Sequence, residues 1–230
     1  MPNTNKKLFL LDAFALIYRA YFAFGKNQRY NSKGLNTSAM LGFTNTLIEV
    51  LEKQKPTHIA VVFDAPGATN RTGDFADYKA GREAMPEDIR TAIPYIKRII
   101  EAFNIPIYLL EGYEADDIIG TMAKEAERQG FQTYMMTPDK DFGQLVSENI
   151  FMYKPARSGG QVEIYGIPEV KEKWEVEEKP KSVLVSNTEI VEVTDIVAVI
   201  NPTEEQMDRL NQKKVGRKVI RENKKRAKKT

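Results

Sequence analysis

The chain has 230 residues, 42% of them hydrophobic and 29% charged, enough for one substantial core with an appendage. It has no cysteine and a single histidine, His58, which excludes disulfides and thiolate or histidine-rich zinc sites, so a catalytic metal would be held by oxygen. The net charge of +2 conceals an asymmetry: residues 209–230 carry eleven Lys/Arg against Glu222 alone, leaving residues 1–208 with 23 basic and 31 acidic side chains.

In chain order, KLFLL (7–11) is a short apolar run that stops at Asp12, and FALIYRAYFAF behind it reads as helical. A helix is expected over Ser38–Lys53, a second run, HIAVVF, stops at Asp64, and a helix is expected over Pro86–Phe103, where Ile89, Ile93, Ile96 and Ile100 fall at helical spacing. A third run, PIYLL, leads into EGYEADDIIG, followed by a helix over Ala115–Gln129 that Gly130 ends; a fourth, FQTYMM, enters TPDKDFGQL. Short apolar runs bounded by turn signals read as buried strands, and their alternation with helices predicts an α/β fold with a mainly parallel sheet flanked by helices. No run approaches the ~20 apolar residues that span a bilayer, and the N-terminus lacks a signal-peptide cleavage pattern, so no membrane partner and a cytoplasmic location are expected.

Each of the four runs delivers acids at its carboxyl end: Asp12; Asp64; Glu114, Asp116 and Asp117; Asp139 and Asp141. In an open parallel sheet the functional crevice lies outside those ends. Three acids before a helix also suit its N-terminal dipole, at about 0.3–1 kcal/mol each, but seven at strand ends point to one crevice. Bare carboxylates gathered there repel strongly unless a cation neutralises them, and hard ions with oxygen ligands, Mg²⁺ or Mn²⁺, are the fitting occupants. A site holding two such ions suits phosphodiester hydrolysis.

The polar segment NRTGDFADYKAGREAMPEDIR adds Arg71, Tyr78, Lys79, Arg82 and Arg90. Cations interleaved with an aromatic ring suit a loop that grips phosphate and stacks a base. Arg19, seven positions after Asp12, is a further candidate phosphate contact.

LLDAFALIYRAYFAF, NSKGLNTSAMLGFTNTL, KPTHIAVVFDAPG, DYKAGREAMPEDI, GYEADDIIGTMAKEA and MMTPDKDFGQLVSENIFMYKPA together resemble the 5′-nuclease domain found at the N-terminus of bacterial DNA polymerase I, of the flap-endonuclease and PIN-like superfamily, over about residues 6–176. The resemblance implies a metal-dependent 5′-3′ exonuclease or flap endonuclease that removes DNA 5′ ends or flaps, including RNA primers on RNA–DNA hybrids, in replication and repair, as a monomer. By motif position it makes Asp12, Asp64, Glu114, Asp116, Asp117, Asp139 and Asp141 metal-site acids. It implies a helical arch whose cations Lys79 and Arg82 surround the scissile phosphate, and it assigns catalysis to Asp12, Asp64, Asp116, Asp139, Lys79 and Arg82.

Three departures stand out. Ala13 follows Asp12 where the family usually has glycine, and Asn70, Arg71, Thr72 and Gly73 stand where it usually reads Phe-Arg-His-Glu. After KEKWEV the family's helix-hairpin-helix region, with its GDAVDNIPG-like run, has no counterpart; Asp195 lacks that context and is not assigned to the site. The expected organisation is a nuclease domain over 1–178, a non-family extension over 179–208 and a basic tail over 209–230. The competing reading is a noncatalytic nucleic-acid-binding remnant of such a domain.

Overall fold

The computed structural model describes residues 6–65, 84–156 and 160–174. The arch expected from the sequence, the residues Arg71, Tyr78, Lys79 and Arg82 along it, and both boundaries after residue 178 lie outside the described residues.

The elements run β1 (Lys7–Asp12), α1 (Ala13–Ala23), α2 (Ser38–Glu49), β2 (His58–Val62), α3 (Glu87–Ala102), β3 (Ile107–Tyr108), α4 (Ala115–Arg128), β4 (Gln132–Met136), β5 (Ile150–Lys154), β6 (Glu163–Tyr165) and α5 (Ile167–Trp174). The strands form one sheet in the order β3-β2-β1-β4-β5-β6. All neighbours are parallel except β5 and β6. β1 lies at the centre, pairing Leu10 with Ala60 of β2 on one side and with Met135 of β4 on the other. A strand covered on both faces has to be apolar at every position rather than alternate, and Leu8, Phe9, Leu10 and Leu11 are all fully buried.

Leu8, Leu10, Ala60, Val62, Met135 and Met152 share one face of the sheet with Ile119, Met122, Ala123 and Ala126 of α4. The intervening residues serve the other face, where the Phe9 ring stacks on Tyr134 at 4.9 Å. There α1, α2 and α3 pack on one another through Ile17, Phe43, Leu47, Ile89, Ile96 and Ile100, all but fully buried. Helices α1 and α2 approach so closely at Gly42 that a Cβ there would stand 2.7 Å from the Cβ of Ala20.

Several boundaries differ from those expected. The helix from Ser38 ends at Glu49 and continues as a single π turn over Val50–Gln54, closed by Lys55 in the left-handed region at φ 45°. Pro86 stands just before α3 rather than within it, at an end where a missing N–H costs no helical hydrogen bond. The PIYLL run pairs only through Ile107 and Tyr108, leaving Leu109 and Leu110 exposed. β5 and β6 extend the sheet beyond the four strands expected. No helix among the described residues is long and apolar enough to cross a membrane.

Candidate metal centre at the carboxyl ends of the strands

Sheet order reverses between β1 and β4, the topological switch point where the loops leaving two adjacent strands part and open a crevice. Asp12 is the last residue of β1 and also the N-cap of α1. Its Oδ1 accepts the Ala15 N–H (3.0 Å) and its Oδ2 accepts the Thr137 hydroxyl (3.1 Å) from the end of β4. The side chain is 8% exposed. Burial pushes its carboxyl above the usual range, helped by the charges of Asp64 and Asp139 and opposed by those two hydrogen bonds.

Asp64 follows β2 past Phe63, whose N–H donates to the Tyr108 carbonyl (2.8 Å). Its Oδ1 accepts the Ala115 N–H (2.7 Å), tying the end of β2 to the first turn of α4. Glu114, 4% exposed, is the N-cap of that helix. It shares a capping box with Asp117, whose Oδ2 accepts the Glu114 N–H at 3.3 Å.

Asp116 carries the strongest signature. Burial, then the charges of Asp12, Asp139, Asp64 and Glu114, push its carboxyl up to about 7. The helix N-terminus on which it sits favours ionisation, yet burial and four negative neighbours outweigh it. Asp116 thus feels the charge of four acids delivered by the strand ends, and Asp12 that of two of them. Asp139 closes the group: it caps the 3-10 turn Lys140–Leu145, its Oδ1 accepts the Asp141 N–H (2.9 Å), and its own N–H donates to Thr137 Oγ1 (3.3 Å).

The other two acids make local hydrogen bonds. Asp117 serves the capping box, and Asp141 is exposed with its N–H spent on Asp139. Among the described residues no three carboxylate or imidazole groups are placed to hold a metal ion as they stand; the acids form a charge-coupled ring rather than a closed cage. The donors are all oxygens of Asp and Glu. His58 starts β2, at the opposite end of the sheet, its ring edge-on to Phe131 at 4.8 Å. Such a set fits a hard divalent cation.

Arg19 turns its guanidinium to the carbonyls of Pro155 (3.0 Å) and Ala156, fastening α1 to the chain after β5. A phosphate contact by Arg19 would be made beside these bonds or in exchange for them. Arg90 lies exposed on α3, 3.6 Å from Glu87. Thr137, which joins Asp12 to Asp139, escaped the sequence reading. Its only signal there is a hydroxyl at the end of a strand, which reads as an ordinary turn residue.

Comparison with known proteins shows the chain's family and its fold. Residues 7–175 match the model of the 5′-3′ exonuclease N-terminal resolvase-like domain. DNA polymerase I of Bacillus subtilis (strain 168) is 43% identical over 170 residues, covering 74% of this chain and 19% of that protein. A 5′-3′ exonuclease of Aquifex aeolicus (strain VF5) is 41% identical over 150 residues, covering 65% of this chain and 51% of the relative. The chain therefore matches about a fifth of the polymerase and half of the exonuclease. Among solved structures, T5 5′-exonuclease with bound divalent zinc ions superposes with a TM-score of 0.54 at 18% identity, over 74% of this chain and 62% of that one. Flap endonuclease-1 from Methanococcus jannaschii gives a TM-score of 0.51 at 17% identity, over 75% and 61%. These two likenesses speak for the fold, a mostly parallel sheet between helices. With the family match running unbroken from residue 7 to residue 175, the chain belongs to the 5′-3′ exonuclease N-terminal resolvase-like domain family.

Proposed function

We propose that the chain is a divalent-metal-dependent 5′ nuclease that hydrolyses phosphodiester bonds at DNA 5′ ends or flaps, and at RNA primers on RNA–DNA hybrids, in replication and repair, as a monomer in the cytoplasm. The observation that carries this reading is the ring of Asp12, Asp64, Glu114, Asp116 and Asp139 at the switch point, with Asp116 raised to about 7 by burial and by its neighbours' charges. Such a ring loses its mutual repulsion when a cation enters, and its all-oxygen chemistry favours Mg²⁺ or Mn²⁺, two ions at full occupancy. Bound there, the metal supplies activation of water and stabilisation of the charge that develops on the phosphate.

The residues divide the remaining work. Asp12, Asp64, Asp116 and Asp139 would hold the metal, with Glu114, Asp117 and Asp141 completing the acid set. Lys79 and Arg82 steady the phosphate as cations, and Arg19, Arg71 and Tyr78 contact the nucleic acid. Similar T5 proteins crystallise with metal ions and, in one complex, with DNA as well, which supports both partners.

A second reading, a noncatalytic nucleic-acid-binding remnant, draws support from residues 176–230, which lie beyond the family match and lack a GDAVDNIPG-like run. The deciding experiment incubates the purified chain with a 5′-labelled flap duplex in Mg²⁺, in Mn²⁺ and in chelator. Metal-dependent release of the labelled end supports the nuclease. Binding without cleavage in either metal supports the remnant.

A further inference from the structure

We propose that Thr137 is a positioning residue: its hydroxyl locks Asp12 and Asp139 into the arrangement that receives the metal, an inference that rests on the metal-dependent reading of the site. The hydroxyl sits at the seam between β1 and β4, on a residue 1% exposed. A buried hydroxyl without partners is costly, at about 1–3 kcal/mol, and this one has a partner on each side. It donates to Asp12 Oδ2 (3.1 Å) and accepts from the Asp139 N–H (3.3 Å).

The consequence for Asp12 follows from acceptor capacity. A carboxylate has two acceptor positions on each oxygen. Ala15 N–H occupies one position on Oδ1 and Thr137 one on Oδ2. The plane of the carboxylate is thereby fixed from two directions, one within α1 and one from across the sheet, while among the described residues a second position on each oxygen is left for a cation. The same hydroxyl sets where the chain turns at Asp139, whose charge opposes that of Asp12. Two groups that repel are held by one neutral atom between their segments. Partners behind a metal ligand commonly govern affinity by about tenfold to a hundredfold.

The test titrates Mn²⁺ into the metal-free full chain by calorimetry, with no substrate present, for the wild type, Thr137→Val and Thr137→Ser. Valine keeps the shape and loses the hydroxyl; serine keeps the hydroxyl and loses the methyl. The expected result is Mn²⁺ affinity about tenfold weaker in Thr137→Val and within about threefold of wild type in Thr137→Ser, with both variants folded by circular dichroism. Equal affinity in wild type and Thr137→Val overturns the proposal, and so does equal weakening in Val and Ser, which would show that keeping the hydroxyl does not preserve the site. If Thr137→Val does not fold, Thr137→Ser and Thr137→Ala decide: Ala weakened about tenfold relative to Ser supports the role, and equal affinities overturn it. A wild-type chain that binds no Mn²⁺ overturns the metal reading itself, and the role of Thr137 with it. That result is distinguishable because it appears before any variant is compared.

Discussion

Asp116→Asn should make the metal-free protein more stable at pH 8. The carboxyl moves from 3.8 to about 7 on folding, which corresponds to about 4 kcal/mol of ionisation free energy if none of it is screened. The side chain keeps partial contact with solvent, and screening brings the expected gain to about 1–2 kcal/mol. The sign follows from proton counts. Between about pH 4 and pH 7 the folded chain binds more protons at this group than the unfolded chain, so stability falls as pH rises through that window. Above about pH 7 the whole penalty is present, and asparagine, which cannot ionise, escapes it. Urea unfolding in chelator at pH 4.5 and pH 8 should show an advantage for Asp116→Asn that is largest at pH 8 and shrinks toward zero near pH 4. Saturating Mg²⁺ should reverse the order, because the cation stabilises the ionised wild type by mass action and the variant less. A variant destabilised in chelator at pH 8, or an advantage equal at both pH values, would refute the argument that repulsion and burial dominate at Asp116.

Gly42→Ala should destabilise by about 1–3 kcal/mol in a urea midpoint assay, because a Cβ 2.7 Å from that of Ala20 forces α1 and α2 apart; a stabilised variant would mean that helix propensity outweighs the close approach. Lys79→Ala and Arg82→Ala should each lower flap cleavage about a hundredfold, as expected for removal of a charge-stabilising group, while unfolding free energy stays within about 0.5 kcal/mol; unchanged cleavage removes them from the site. Deleting residues 209–230, with eleven Lys/Arg, should flatten the plot of log DNA affinity against log salt by about 0.9 for each phosphate that the tail neutralises, and an unaltered slope would show that the tail does not touch the backbone.

What could be read in the sequence was what local pattern determines. LFLL (8–11) and IAVVF (59–63) are apolar at every position because both faces of their strands are covered, and those runs placed Asp12 and Asp64 at strand ends. The acids of EADD were legible from the helical spacing behind them. What escaped depended on pairings distant along the chain. IFMYK becomes β5 because β4 offers its free edge, and the three-residue β6 is too short for alternation to declare it. Thr137 became a link between acids only once β1 and β4 stood side by side. Arg19 is drawn to Pro155 and Ala156 by loop placement that no spacing encodes. Asp117 is a further case: the sequence groups it with the site acids, and the structure also uses it in a reciprocal cap with Glu114, three residues before it.

Of the six strands, the central one is the first to leave the ribosome, and its two partners follow at separations of 50 and 125 residues, as the bonds Lys7 to Thr57 and Thr137 to Asp12 measure. At roughly 5–20 residues per second, β1 waits about 6–25 s for β4. Through that interval it is a strongly apolar segment with an unpaired edge, the kind of stretch that recruits neighbouring chains. Lys6 and Lys7 bound it on one side and Asp12 on the other, charges that resist premature pairing. Asp12 therefore gives the nascent chain a charge that opposes misassembly before β4 arrives to complete its surroundings.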